Sequence, residues 1–289
     1  MFKLYKRVFK ATNEGIILTI PIALFWWIIT IYIDFSKNVV DTLPEMALSA
    51  VTMLFMISGF CAGWFYMVKK CVKFAQKDFI FDKDKNKESF NLLKAFPIGL
   101  GRFFLYFVEV SLLFLGIALA MGYLMKTLSF DYLKEIIAVL GNAGLTSFSG
   151  DDIKSFLDAL PPEDILEIFQ LISAPVIKII LTITIIPTIV SFLLMLWMPE
   201  IIYTQRNPLI ALFTSIKKVF THFGNSVKLY IYLSVLQLII SLMGPFSLKN
   251  PILYMLMIII YFYFLVYVVV LIFSYYDQEF REENKEENA

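Results

Sequence analysis

Residues 251–275 read PILYMLMIIIYFYFLVYVVVLIFSY, 25 positions without a charged side chain. The hydrocarbon core of a bilayer is about 30 Å thick and a helix rises about 1.5 Å per residue, so roughly 20 apolar residues cross it. The stretch is long enough to span. Working outward from it, five more charge-poor runs occur, at 16–33, 47–68, 103–125, 179–198 and 229–246, and Glu109 is the one charged residue inside any of them. The whole chain agrees: 59% hydrophobic, 17% charged and a mean hydropathy of +0.76, where soluble domains carry roughly 25% charged residues. The fold class is therefore all-α, a polytopic membrane helical bundle with six transmembrane helices.

Charge sorting gives an orientation. Lys and Arg are retained on the cytoplasmic side of short loops. With the amino terminus inside, 19 of the 25 basic residues fall in inner segments and 6 in outer ones. The expected arrangement is a multi-pass protein of the cell membrane with both termini cytoplasmic. Residues 1–276 form a single six-span transmembrane domain, and 277–289 form an acidic cytoplasmic tail. The first run follows Lys3, Lys6, Arg7 and Lys10 but continues to Asp34 without a small-x-small cleavage site, so it is read as a span and not as a cleaved signal. A net charge of +1 leaves no basic field for nucleic acid.

The segments between spans carry their own pattern. Lys6-Arg7-Val8-Phe9 before span one is echoed by Lys217-Lys218-Val219-Phe220 before span five, and Leu92, Phe96, Leu100 and Phe103 make a similar lead-in to span three. Leu209, Phe213, Ile216, Phe220 and Phe223 draw the clearest stripe. Interfacial amphipathic helices are expected before spans 1, 3 and 5, apolar side down, with Lys6, Arg7, Lys217 and Lys218 at the membrane surface facing anionic headgroups. The acidic outer loop, about 126–178, shows helical spacing at Phe130, Leu133, Ile136, Ile137 and Leu140 and again at 153–160. Breaks fall at Gly141-Asn142-Ala143-Gly144 and Pro161-Pro162, and a third helix starts at Asp164. The loop reads as a helical outer cap on the membrane face.

Residues 199–281 contain Glu200-Ile201-Ile202-Tyr203, Asn207-Pro208-Leu209-Ile210-Ala211-Leu212, Ser215, a last hydrophobic hairpin, and Tyr275-Tyr276-Asp277-Gln278-Glu279-Phe280-Arg281 at its exit. This stretch resembles the poorly characterised prokaryotic six-helix membrane family that includes the membrane domains fused to glycerophosphodiester phosphodiesterases. The resemblance implies a six-helix fold and a membrane role. The chain has no phosphodiesterase domain, so no catalytic residue carries over.

Chemistry is sparse. There is one histidine, and Cys61 and Cys71 fit no metal-ligand spacing. Gly-x-Ser-x-Gly, Walker A and His-Glu-x-x-His are all absent. No catalytic residue, metal or cofactor is assigned, and the chain reads as non-enzymatic. Glu109 stands out, because an ionised acid within a span is costly by up to a few kcal/mol. Gln237 and Ser191 lie at similar depth on spans five and four, so a polar intramembrane layer of Glu109, Gln237 and Ser191, with Ser234, is expected to bind ligand or glue the helices. Tyr263, deep in span six, needs a partner in the bundle. Pro187 is a candidate hinge, with Thr184 placed to bond the carbonyl that it frees. The functional expectation is a lipid-handling or membrane-organising component, or a subunit of a membrane complex. Its partners are membrane lipids and other membrane subunits. The alternative is the permease subunit of an ATP-driven exporter of the ABC type, whose partner would be a cytoplasmic ATPase.

Overall fold

The computed structural model describes residues 2–75, 82–143, 155, 156, 158, 160–205, 207–247 and 250–280, and among them secondary structure is helical, with no strand. The helices are α1 (Phe2–Glu14), α2 (Thr19–Val39), α3 (Leu43–Phe74), α4 (Asp82–Asn142), α5 (Pro162–Leu194), α6 (Trp197–Thr204), α7 (Pro208–Thr221), α8 (Phe223–Ser247) and α9 (Pro251–Phe280), with a 3-10 turn at Ile16–Leu18. Six segments are long and apolar enough to cross a bilayer; five contain one of the runs expected from sequence, and the fifth, Phe223–Pro245, covers all but the last residue of 229–246. The protein is a multi-pass membrane helical bundle.

The helix starts are written in the sequence. At α3, Glu45 Oε2 accepts the Thr42 N–H at 2.9 Å and the Asp41 N–H at 3.0 Å, part of a capping box with Pro44 in the first turn. Asn207 caps α7 through the Leu209 N–H, and Asn250 caps α9 through the Ile252 N–H, each at 2.9 Å and each followed by proline. Helix α6 stops because Gln205 adopts the left-handed conformation, φ 57°, and returns its N–H to the Ile201 carbonyl.

The chain forms two compact units, one of Met1–Leu113 with Leu193–Ala289 and one of Phe114–Phe192. In the second, α4 runs to Asn142 and α5 begins at Pro162, so the expected breaks fall where Gly141 and Pro161 place them. The stretches 130–140 and 164–169 are not separate cap helices. They continue α4 and α5: no glycine or proline lies between 126 and 140 to stop α4, and α5 runs on past Pro175 even though that residue gives no N–H to the ladder. Residues 144–154, which hold the start of the expected middle cap helix, lie outside the described residues. Helix α5 also continues through Pro175 and Pro187. The Thr184 hydroxyl donates to the Ile180 carbonyl at 2.7 Å and not to that of Ile183, the one that Pro187 frees.

In the first unit the lead-in helices take three different forms. Helix α1 buries Leu4, Val8 and Ala11, spaced i, i+4 and i+7, and packs on α9. Its stripe thus meets protein where a lipid contact was expected, because α9 runs antiparallel beside it, with Arg7 at Gln278 and Asn13 at Tyr263. The lead-in to span three is no separate helix: α4 is continuous from Asp82. Helix α7 exposes Leu209, Phe213 and Phe220 and buries Ala211, Ser215, Lys218 and Val219, so its apolar stripe is uncovered by the rest of the unit.

Helices α3 and α4 approach closely where small residues meet, the usual route to tight packing among membrane helices. A Cβ added at Gly99 would lie 2.5 Å from Tyr66 Cβ and 2.8 Å from the Ala62 carbonyl oxygen. Ser58 Oγ completes the seam, 2.9 Å from Ser111 Oγ and 3.2 Å from the Phe107 carbonyl. This packing begins before residue 103, the expected start of span three. Gly99→Ala is therefore expected to destabilise the protein by about 1–3 kcal/mol through overpacking. Gly101→Ala, where nothing lies within 4 Å of the new Cβ, should be neutral or slightly stabilising. Thermal unfolding in detergent distinguishes the two.

Candidate functional site

Two features of the first unit stand out: a buried ionic knot and an open apolar groove. The knot forms where α6, α7 and α9 meet. Glu200 is fully buried, and its Oε2 accepts from Lys218 Nζ at 3.0 Å and from the Tyr276 hydroxyl at 2.6 Å. Lys218 Nζ also donates to the Tyr276 oxygen at 2.9 Å and lies 5.0 Å from the Tyr276 ring centre and 5.4 Å from that of Phe280. Carboxylate, ammonium and phenol thus close a triangle. Glu200 Oε1 is buried without a hydrogen-bond partner among the described residues.

Local structure delivers each corner. The left-handed Gln205 and the Asn207 cap fold α7 back on α6, and Trp197 Nε1 ties the elbow by donating to the Pro208 carbonyl at 2.9 Å. That places Glu200 and Lys218 side by side. Around the knot, Lys69 of α3 donates to the Ile202 carbonyl at 2.7 Å, and its ammonium stands 4.8 Å from the Tyr203 ring centre. Arg102 of α4 donates to the Gln205 side chain, and Asp277 is the acid within electrostatic reach of Lys69. The Tyr275 and Ser226 hydroxyls bond at 3.1 Å, joining α9 to α8.

The groove lies between α2, α3 and α4 and encloses about 770 Å³. Its walls include Leu24, Phe25, Met56, Phe60, Phe96 and Phe104, with the Phe25 and Phe60 rings stacked at 4.0 Å. Thr52 carries the one polar side chain of the lining, and its hydroxyl is spent on the Leu48 carbonyl at 2.8 Å. Such a wall offers packing and no directed hydrogen bond. Among the described residues, no three His, Cys, Asp or Glu side chains gather to hold a metal ion.

The residues singled out from sequence fall differently. Glu109 is exposed on α4, at a hollow of about 480 Å³ shared with Arg102 and Tyr106. Gln237 and Ser234 are exposed on α8. Gln237 Nε2 donates to Ser241 Oγ at 3.3 Å, and among the described residues no hydrogen bond joins Glu109 to Gln237 or Ser234. Equal depth did not mean a shared face. Helix α4 turns Phe103, Phe107 and Val110 inward, and at 3.6 residues per turn that leaves Glu109 pointing away from them. Ser191, in the second unit, donates to the Thr188 carbonyl of its own helix at 3.0 Å. Tyr263 does find a partner, donating to Asn13 Oδ1 of α1. Lys6 and Lys217 are exposed, and Arg7 donates to Gln278 at 3.1 Å. Lys218 is not a surface cation: it is 6% exposed, because it shares the inward face of α7 with Ala211 and Ser215 and has Glu200 opposite. Glu200 lies just past the end of span four, where the count of charges within spans did not reach. The signal for it was the acid itself, standing beside a run of apolar residues.

Comparison of the chain with protein-family models, with curated proteins and with solved structures gives no match.

Removing one member of a buried ion pair strands the other charge, which typically costs about 3–5 kcal/mol, whereas replacing both by apolar groups is often neutral. Lys218→Met is expected to lower stability in that range. The double variant Glu200→Leu/Lys218→Met should lose less than Lys218→Met alone, as read by thermal unfolding in detergent.

Proposed function

We propose that the protein is a non-enzymatic, lipid-handling component of the cell membrane, and that the groove between α2, α3 and α4 holds the acyl chain of a membrane lipid. The observation that carries this reading is the groove itself: about 770 Å³, lined by aliphatic and aromatic groups, without a free polar side chain. Ligand cavities commonly measure about 300–1,000 Å³, and the chemistry of this wall selects hydrocarbon. Acyl chains and leucine side chains are equally apolar, so retention rests on van der Waals fit to a shaped surface and not on escape from water. The stacked Phe25–Phe60 pair and the Phe55–Phe104 pair, 6.0 Å apart, give the groove a stiff surface for that fit. Both termini are proposed to be cytoplasmic, supported by the sorting of 19 basic residues to one side. Lys69, Arg102 and Lys218 then belong to the cytoplasmic end of the bundle. Further membrane subunits are proposed as partners.

The test uses nanodiscs of phosphatidylglycerol doped with a phospholipid bearing a photoreactive diazirine on one acyl chain. Labelling is expected to concentrate on the peptides holding Phe25, Phe60 and Phe104. Gly59→Leu, whose Cβ has ordinary contacts of 3.7 Å and beyond, should fill the groove and cut that labelling several-fold without loss of fold. Labelling spread evenly over exposed positions such as Ile183 and Ile185 would overturn the groove as a lipid site. Co-purification of a cytoplasmic ATPase would move the reading to an exporter permease. Cysteines placed at residues 85 and 150 should react with an impermeant maleimide from opposite sides of intact cells, and reaction from the same side would overturn the orientation.

A further inference from the structure

A second cavity, of about 310 Å³, opens between α2, α8 and α9, and its chemistry differs from that of the groove. Gln237, Ser241, Tyr254 and Tyr261 bring polar groups to it, and Trp26 and Phe262 supply aromatic wall, their rings edge to face with centres 6.5 Å apart. None of the ten lining residues carries a charge. Gln237 uses one N–H on Ser241, 3.3 Å away, which leaves its carbonyl oxygen and second N–H open. The Tyr254 and Tyr261 hydroxyls and the Trp26 indole N–H have no hydrogen-bond partner among the described residues. Trp26, Gln237 and Tyr261 sit well inside segments apolar enough to span a membrane, and Tyr254 stands one turn from the start of α9. The cavity therefore presents several open donors, an open amide acceptor and aromatic faces.

The occupant must answer each of these features. A phosphate or an ammonium would enter without a counter-charge, which makes it the wrong guest for this lining. A bare acyl chain would leave the amide and phenols unsatisfied. A neutral group carrying several hydroxyls gives and takes hydrogen bonds at once, and the carbon-bound hydrogens of a sugar ring lie flat on aromatic walls. The volume is at the small end of ligand sites, which run from about 300 Å³ upward, so it suits one such ring and not a chain of them. At Gly244 an added Cβ would meet nothing within 4 Å, which keeps one side of the cavity clear.

We propose that this cavity is a binding site for the neutral, hydroxyl-bearing headgroup of a glycolipid, with Gln237 and Tyr261 as its principal hydrogen-bonding residues. The site is separate from the α2–α3–α4 groove, so it stands or falls independently of the acyl-chain reading.

The experiment reconstitutes the full chain in nanodiscs of dioleoylphosphatidylglycerol containing monoglucosyldiacylglycerol with the same acyl chains, followed by native mass spectrometry of the released protein. The glucolipid is expected to be retained in preference to the phospholipid. Tyr261→Phe and Gln237→Leu should each lower that retention about fivefold, the effect of losing one or two hydrogen bonds. Both positions are exposed in the protein, and circular dichroism checks that the variants fold. Gly244→Leu, which touches no polar group, should block entry. Gly59→Leu should leave glucolipid retention unchanged while reducing acyl labelling in the groove. Equal retention of the two lipids, or retention indifferent to Tyr261 and Gln237, would overturn the site. So would a disulfide between two copies through Trp26→Cys, since the cavity would then be covered by a second chain.

Discussion

A carboxylate held away from water must be neutralised or matched, and for Glu200 in the first turn of α6 the match is Lys218. Three helices are fixed by that requirement. Glu200 rises from α6, Lys218 from α7, and Tyr276 from α9, and no member can leave without exposing the others to an unfavourable medium. The elbow between α6 and α7 exists in this form because Gln205 and Asn207 turn the chain tightly enough to bring cation and acid together. Lys69 and Arg102 then tie the elbow to α3 and α4. Buried pairs of this kind contribute little net stability compared with apolar packing, but they penalise any arrangement in which the partners are separated. In a bundle whose helices are coated with similar aliphatic surface, such a penalty helps to select one arrangement.

The α2–α3–α4 groove and the α2–α8–α9 cavity show why position around a helix matters as much as position along it. Helix α2 contributes Leu24 and Phe25 to one and Trp26 to the other, successive residues on different faces. The first cavity has no free polar side chain and the second has four groups with open hydrogen-bonding capacity. Neighbouring faces of α2 thus border a hydrocarbon-like groove and a cavity whose hydroxyl and amide groups come from α8 and α9.

The six crossings were legible because the cost of placing charge in hydrocarbon is paid along the chain, one residue at a time, and a run of 18 or more apolar residues records it directly. The helix starts at Thr42, Asn207 and Asn250 are set by equally local bonds, within three residues, although the reading of the sequence named none of them. What was not legible depended on azimuth and on distant partners. Lys217 and Lys218 are identical in a linear reading, yet one is exposed and the other buried against an acid eighteen positions earlier. Glu109 and Gln237 match in depth, yet the inward face of α4 is set by Phe103 and Phe107, packed on α3. The length of α4 was hidden for a different reason. Residues 126–142 look amphipathic, and an amphipathic segment joined without a break to a span continues its hydrogen-bonding ladder unless a glycine or proline stops it. The glycine comes only at Gly141.

Helix α1 lies along α9, with Tyr263 bonded to Asn13 and Arg7 to Gln278, a separation of 271 positions in the latter case. Membrane proteins are threaded into the bilayer as they are synthesised, so α1 is made long before the α9 surface that covers Leu4, Val8 and Ala11. Until the ribosome has delivered α9, the nascent chain carries an uncovered seam for which chaperones or neighbouring nascent helices can compete.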